Sequence, residues 1–154
     1  MSWLITHAER TLSEDVPAAP DDVRDFYVEL DNIKVVHPLV VSVRSLSRLE
    51  TGDGYEQTYR VADRIPLGMV SLRISYWARL QVPAHGDVLT EARQFPRVRL
   101  SGRVSFEPIP AGTRLTERLR IAAPRPLAAI TIREAVDAHV AMLAGIRDHF
   151  RMRG

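Results

Sequence analysis

The residue with the clearest potential for chemistry is Glu117, a carboxylate in an otherwise aliphatic face of a predicted strand. Leu115, Leu119 and Ile121 share that face, because side chains alternate along a strand. A buried carboxyl group has a raised pKa unless a cation or a donor compensates, and that tuning suits a general acid or base. Two other interpretations stay open: a bulge that turns Glu117 outward, and a structural pair with a buried arginine.

His139 is the second candidate, near the centre of the apolar stripe of the predicted last helix. Val136, Val140 and Leu143 surround it at helical spacing. A histidine at this position faces the sheet, where it can reach Glu117 or a ligand. Together the two residues would form an acid–base pair for enolisation or dehydration. The alternative is a core histidine that is satisfied by one hydrogen bond.

Polar side chains within apolar strands are the candidates for ligand recognition. The tips of Tyr76, Tyr59 and Gln57 can orient a carbonyl or hydroxyl group, or they can pack in the core or at its rim. His37 is expected at the pocket entrance or in an ordinary loop. The predicted ligand-binding residues are Tyr59, Tyr76, Gln57, Leu72, Ile74, Thr90, Leu115, Val136 and Leu143.

Several kinds of site are excluded by the sequence. The chain has no cysteine, and its five histidines do not have the spacing of metal ligands. It contains neither the Gly-x-Ser-x-Gly motif of a nucleophile elbow nor a glycine-rich loop for phosphate. We therefore expect no metal and no cofactor.

A helix and a sheet must position these residues. The segment 126–150 has the only long helical periodicity, with Glu134, Asp137 and two later charged residues predicted on its solvent face. Shorter helices are predicted at 21–30 and 32–36. The predicted apolar stripe of the last helix consists of Ile132, Ala135, Val136, His139, Val140, Leu143, Ile146 and Phe150.

Most of the chain between these helices alternates with a period of two. Short connections between the strands imply an antiparallel sheet, so the fold class is α+β. One helical stripe cannot cover a strongly curved sheet of about seven strands, and the uncovered space predicts a ligand cavity. A loop is predicted at Ile65–Gly68, and strands are predicted at 3–12, 39–49, 55–63, 70–82, 87–95, 98–106 and 113–121.

Length and composition are those of one ordinary domain covering residues 1–154. Hydrophobic residues make up 45% and charged residues 26% of the chain. The net charge is +2, Lys34 is the only lysine, and the arginines alternate with acids, so a nucleic-acid partner is not expected. We expect a cytoplasmic monomer or homodimer without membrane insertion, because neither a signal peptide nor a spanning segment is evident.

Two segments carry a resemblance to a known superfamily. Residues 16–27, Val-Pro-Ala-Ala-Pro-Asp-Asp-Val-Arg-Asp-Phe-Tyr, and residues 113–118, Thr-Arg-Leu-Thr-Glu-Arg, are similar to recurrent patterns of the START, Bet v 1 and polyketide cyclase superfamily, SRPBCC. His37 stands where that superfamily commonly has an aromatic residue. The resemblance implies a helix-grip fold: a curved antiparallel sheet of about seven strands around a long C-terminal helix, with one or two short helices after the first strand. It also implies a deep hydrophobic cavity, but it carries over no catalytic motif.

These observations predict a protein that binds or transports a hydrophobic ligand in a cavity between the sheet and the C-terminal helix. A lipid, a polyketide or an aromatic metabolite would be the ligand. One alternative is an enzyme of the polyketide cyclase or dehydratase type that uses Glu117 and His139. Another is a partner-binding module with a closed cavity.

Overall fold

The computed structural model describes residues 4–153 as one seven-stranded antiparallel sheet and three helices. The strands follow the order β1-β7-β6-β5-β4-β3-β2 across the sheet, so the first two strands of the chain are its edges. The elements are β1 (Ile5–Val16), α1 (Pro20–Val28), α2 (Leu30–Val36), β2 (Val40–Thr51), β3 (Gly54–Leu67), β4 (Val70–Pro83), β5 (Val88–Gln94), β6 (Val98–Ile109), β7 (Gly112–Pro124) and α3 (Arg125–Arg151).

The long helix α3 lies to one side of the sheet rather than over its middle. It packs chiefly against β1 and β7, while α2 contacts α3 and β2, and α1 contacts β6 and β7. The helices thus pack chiefly at the two edges and one end of the sheet, and across the inner face of β3, β4 and β5 they make few contacts. The predicted α+β helix-grip architecture is confirmed.

The two short helices form where the sequence predicts them. Pro20 begins α1, and Asp21 and Asp22 occupy its first turn, where the helix dipole favours negative charge. Val23 and Phe26, one turn apart, are buried. The second helix begins at Leu30, two residues before the predicted start, and ends at Val36 because the residue before a proline disfavours the helical conformation.

The strand β3 is longer than predicted, since Ile65 and Pro66 extend it where a loop was expected. The pairing of β2 with β3 ends at Asp63, and beyond it β3 pairs only with β4. A proline is tolerated there because no neighbour needs its missing N–H. The first strand is also shifted, running to Val16, and residue 3 of the predicted strand lies outside the described residues.

The buried face of α3 differs from the predicted apolar stripe. Val140 is 50% exposed, whereas Met142, which is absent from the predicted stripe, is only 2% exposed. Glu134, predicted on the solvent face, lines a cavity. The helix turns small side chains inward, and these carry little weight in a hydrophobic pattern. Its buried residues are Ala128, Ala138, Met142, Leu143 and Ile146.

Within residues 4–153, none of the helices combines the length and the apolar character needed to cross a bilayer.

Candidate functional site

A cavity with two chambers lies between α3 and the middle strands. The outer chamber is about 340 Å³ and lies beside the N-terminal half of α3. The inner chamber is about 100 Å³ and extends towards α1 and α2. The larger volume is within the range of small-molecule sites, roughly 300–1,000 Å³. The chambers share five lining residues, which we call the waist: His37, Tyr76, Ala92, Leu100 and His139.

The space exists because α3 packs chiefly against β1 and β7 and because two of its cavity-facing residues are alanines. Ala135 and Ala138 line the outer chamber where larger side chains would fill it. The mouth lies at the other end of this chamber. Leu72, Phe95 and Leu127 line the chamber and are also exposed, so an apolar rim surrounds the opening.

Glu117 lies on the inner face of β7 and is fully buried at 0% exposure. The register of β7 with both neighbours is continuous through Glu117, which excludes the outward bulge. The hydroxyl group of Tyr27 donates a hydrogen bond to Oε2, and Nδ1 of His139 donates to Oε1 at 2.8 Å. The partners of Glu117 are therefore a tyrosine and a histidine, and not the buried arginine that the sequence analysis kept as an alternative. Glu117 lines neither chamber, so it acts on an occupant only through its two partners, His139 and Tyr27, of which Tyr27 lines the inner chamber.

His139 connects Glu117 to the cavity. Burial by itself lowers the pKa of this imidazole, but the charge and hydrogen bond of Glu117, together with the charge of Asp63, outweigh burial and raise the pKa above its usual 6.5. The imidazolium form, in which both ring nitrogens are donors, is thus more favoured than in a free histidine. Because Nδ1 is bound to Glu117, Nε2 is the nitrogen that can donate to a cavity occupant.

His37 follows α2 and lies beside His139, with ring centroids 5.5 Å apart in an edge-to-face arrangement. Its Nδ1 accepts a hydrogen bond from the backbone N–H of Leu39 at 3.2 Å. Burial, and then the charge of His139, lower the pKa of His37 to about 3, so the ring is neutral. With Nδ1 as an acceptor, the proton of the neutral ring is on Nε2. The sequence analysis expected His37 at the pocket entrance or in an ordinary loop. It lies in the connection between α2 and β2 and lines both chambers at the waist, away from the mouth.

Asp63 and Tyr76 form a second polar pair on the opposite wall, and the sequence analysis missed Asp63. The hydroxyl of Tyr76 donates to Oδ1 of Asp63 at 3.1 Å. Burial raises the pKa of Asp63 to about 6 against the opposing effects of Tyr76 and His139, and burial and Asp63 raise the pKa of Tyr76. Strand parity could have identified Asp63, since it shares the inward face of β3 with Tyr59 and Val61.

The other predicted ligand-binding residues divide into two groups. Leu72, Ile74 and Tyr76 line the outer chamber, and Tyr76 and Thr90 line the inner one. The remaining five line neither chamber: Tyr59, Gln57, Leu115, Val136 and Leu143.

Each of these five has a different environment from the predicted one. The Tyr59 hydroxyl donates to the carbonyl of Val28 at 3.4 Å, and the Gln57 amide donates to Ser45 at 2.6 Å. Leu115 and Leu143 belong to the packed core at the closed end of the cavity. Val136 lies about 100° around α3 from Ala135, which turns it away from the chamber.

The cavity therefore combines apolar walls with a small set of polar atoms. Nε2 of His37 and Nε2 of His139 are donors, while Oδ2 of Asp63 is an acceptor because Tyr76 occupies Oδ1. Among residues 4–153, no three His, Asp or Glu side chains form a group that could hold a metal ion. The site can orient a polar group of an apolar molecule, and it can exchange a proton through His139 or Asp63.

Comparisons with family models and with curated proteins find no match to this chain. Solved structures do resemble it. The protein TTHA0849 from Thermus thermophilus is 17% identical with a TM-score of 0.70, and the match covers 97% of this chain and 99% of that one. The Zhui aromatase/cyclase from Streptomyces sp. R1128 is 18% identical with a TM-score of 0.63, covering 92% of this chain and 93% of its own.

A STAR-related lipid transfer protein from Xanthomonas axonopodis is also similar. It is 20% identical with a TM-score of 0.63, and the match covers 93% of this chain and 85% of that one. At such identities the likeness establishes the fold alone. The chain shares the helix-grip fold of these structures, so the fold implied by the resemblance of its two sequence segments is confirmed.

Proposed function

We propose that this protein binds a hydrophobic small molecule in the two-chambered cavity, as a carrier or receptor for a lipid, polyketide or aromatic metabolite. The outer chamber of about 340 Å³ is the observation that carries the proposal. Its walls are mainly aliphatic with a minority of polar groups, three of them at the waist, as in sites that enclose an apolar ligand and fix its orientation. The similarity to a lipid transfer protein and to an aromatase/cyclase supports this class of ligand.

The cavity can be tested with two alanines of the same helix. Ala135 lines the outer chamber, and Ala141 is exposed. We expect Ala135→Phe to fill the chamber and to weaken binding of an environment-sensitive naphthalene dye by at least tenfold. Ala141→Phe, the matched control, should bind the dye like the parent protein. Fluorescence titration measures both, and native mass spectrometry of the purified parent protein looks for a retained ligand.

Equal dye affinity in Ala135→Phe, Ala141→Phe and the parent protein would contradict a ligand site in this chamber. A circular dichroism melt of each variant separates loss of binding from loss of the fold. If the protein is instead a partner-binding module with a closed cavity, the three proteins should have equal dye affinity and the parent protein should retain no ligand.

A second function, acid–base catalysis of the cyclase or dehydratase type, is favoured by the hydrogen bond of 2.8 Å between His139 and Glu117. In this function His139 is the catalytic residue, because it lines the cavity and can hold or give a proton at Nε2. Glu117 is a positioning residue that fixes the ring and stabilises its charged form. This division of roles changes the sequence-based hypothesis, which treated both as acid–base groups.

Exchange of the acidic C–H hydrogens of 2-tetralone in D₂O tests this second function. We expect acceleration by the parent protein and by Glu14→Gln, a control at a position that lines neither chamber. His139→Asn should abolish the acceleration, because the shorter side chain keeps a donor for Glu117 but lacks Nε2. Glu117→Gln should reduce it by about 10²-fold and should also lower the pKa of His139, measured by NMR titration. If the parent protein binds 2-tetralone without accelerating the exchange, the catalytic function is contradicted and the binding function remains.

A further inference from the structure

The waist of the cavity holds hydrogen-bonding groups of both kinds within one small region. His37 and His139 come from different elements, and their rings are 5.5 Å apart. Asp63 lines the same outer chamber from β3. Each of the three has one polar atom occupied by the protein and a second one available. An apolar cavity does not need three such groups for its own stability.

The partners inside the protein determine which atoms are available. Leu39 occupies Nδ1 of His37, Glu117 occupies Nδ1 of His139, and Tyr76 occupies Oδ1 of Asp63. The Nε2–H of neutral His37, the Nε2–H of His139 in its imidazolium form and one carboxylate oxygen therefore remain for an occupant. Among the described residues, the buried side-chain polar atom that lacks a hydrogen-bond partner is Nε2 of His149. The three available atoms of His37, His139 and Asp63 are therefore not enclosed in packed protein, and they lie at the cavity surface.

From this arrangement we propose that the waist is a hydroxyl subsite, selective for an apolar ligand that carries a neutral alcohol or phenol group. The oxygen of such a group accepts from the two imidazole Nε2–H donors, and its hydrogen is donated to Oδ2 of Asp63. The inference rests on the proposed binding function and adds the polar group by which the ligand is recognised.

Other polar groups match the waist less well. A carboxylate ligand would place a second negative charge beside Asp63, and an ether or ketone has no hydrogen for the Asp63 oxygen. A hydrocarbon would leave all three groups dry and unpaired, which is costly in a buried site. Sites that pair every polar group with a ligand hydroxyl discriminate strongly against the analogue that lacks it.

Three probes of nearly the same shape test the proposal: 2-naphthol, 2-methoxynaphthalene and naphthalene. We expect the parent protein to bind 2-naphthol at least tenfold more tightly than either of the others, by displacement of a naphthalene dye at pH 7.5. Both weaker probes fill the chamber, and only the hydroxyl can both accept and donate.

Two variants assign the preference to the proposed atoms. Asp63→Asn keeps an oxygen for Tyr76 but replaces the free acceptor with an N–H donor, so the preference for 2-naphthol over 2-methoxynaphthalene should fall to within about threefold. His37→Asn keeps an acceptor for the Leu39 N–H and removes the Nε2 donor, so it should weaken 2-naphthol more than naphthalene. Glu14→Gln, which removes a partly buried carboxylate that lines neither chamber, is the control.

The outcomes separate the two proposals. If the parent protein binds all three probes with equal affinity, the hydroxyl subsite is refuted and the apolar cavity stands. If the preference survives unchanged in folded Asp63→Asn and His37→Asn, the subsite lies elsewhere and the inference is overturned. If no probe binds and Ala135→Phe has no effect on the dye, the binding function itself is contradicted, and the inference fails with it.

Discussion

At the scale of single residues, the site depends on how far neighbouring groups offset the free-energy cost of burying each ionisable side chain. Glu117 is fully buried, yet both of its oxygens are hydrogen-bonded, one by Tyr27 and one by His139. The cost of burying Asp63 is less fully offset, because burial raises its pKa by more than the hydrogen bond from Tyr76 and the charge of His139 lower it. One carboxylate is thus part of a structural network, and the other remains energetically costly and available to a ligand.

Replacing Asp63 with asparagine should therefore stabilise the protein in a pH-dependent way. The folded-state pKa of about 6 exceeds the usual 3.8, so the folded protein binds the proton more tightly than the unfolded chain between these values. The stability that Asp63 contributes consequently falls as the pH rises through this window. The penalty amounts to about 3 kcal/mol above pH 6. Asp63→Asn removes the penalty.

Urea denaturation of Asp63→Asn and the parent protein at pH 3.5, 5 and 7.5 measures this effect. The difference in unfolding free energy should be near zero at the lowest pH and largest at the highest. The groups facing Asp63 are Tyr76 of β4, His37, and His139 and Glu134 of α3, and all are unchanged in the variant. Asp15→Asn, an exposed carboxylate on β1, is the control. A constant difference at all three pH values would refute the assignment of the cost to burial of charge.

At the scale of elements, the rotation of α3 decides what lines the cavity. Large apolar residues dominate a periodicity pattern, so Val140 and Val136 marked the apolar stripe in the sequence. In the fold, Leu143 and Ile146 of that stripe are buried as predicted, but Met142 is buried where Val140 was expected. Ala135 and Ala138 face the outer chamber. A helix beside a cavity needs small residues on its inner face, and these hardly register in a hydrophobic pattern.

The rotation of α3 can be tested with two truncations to alanine, the residue with the best helix propensity. Met142→Ala should lower the unfolding free energy by about 2–5 kcal/mol, because the side chain is 2% exposed and belongs to the core. Val140→Ala should change it by less than about 0.5 kcal/mol, because its side chain is half exposed. Chemical denaturation measures both. Equal losses would support the sequence-based stripe instead.

At the scale of the whole molecule, the cavity results from a sheet of seven strands that is wider than its helix. Because α3 packs chiefly at β1 and β7, the helices make few contacts across the inner face of β3, β4 and β5, and the space remains. The two short helices close one end, and the apolar rim at Leu72, Phe95 and Leu127 leaves the other end open. A molecule built in this way can enclose a ligand without a change of topology.

The sequence by itself determined the order and type of the elements, and with them the helix-grip fold, because alternation and helical periodicity are local properties of the chain. It also identified Glu117 and His139, since strand parity and helix spacing put each on an inward face. The tertiary structure decided that Glu117 is withdrawn from the cavity, that His37 joins His139 at the waist, and that Asp63 lines the outer chamber. Such contacts join residues far apart in the chain, and they depend on the rotation of α3 and its position against the sheet, which no local pattern encodes.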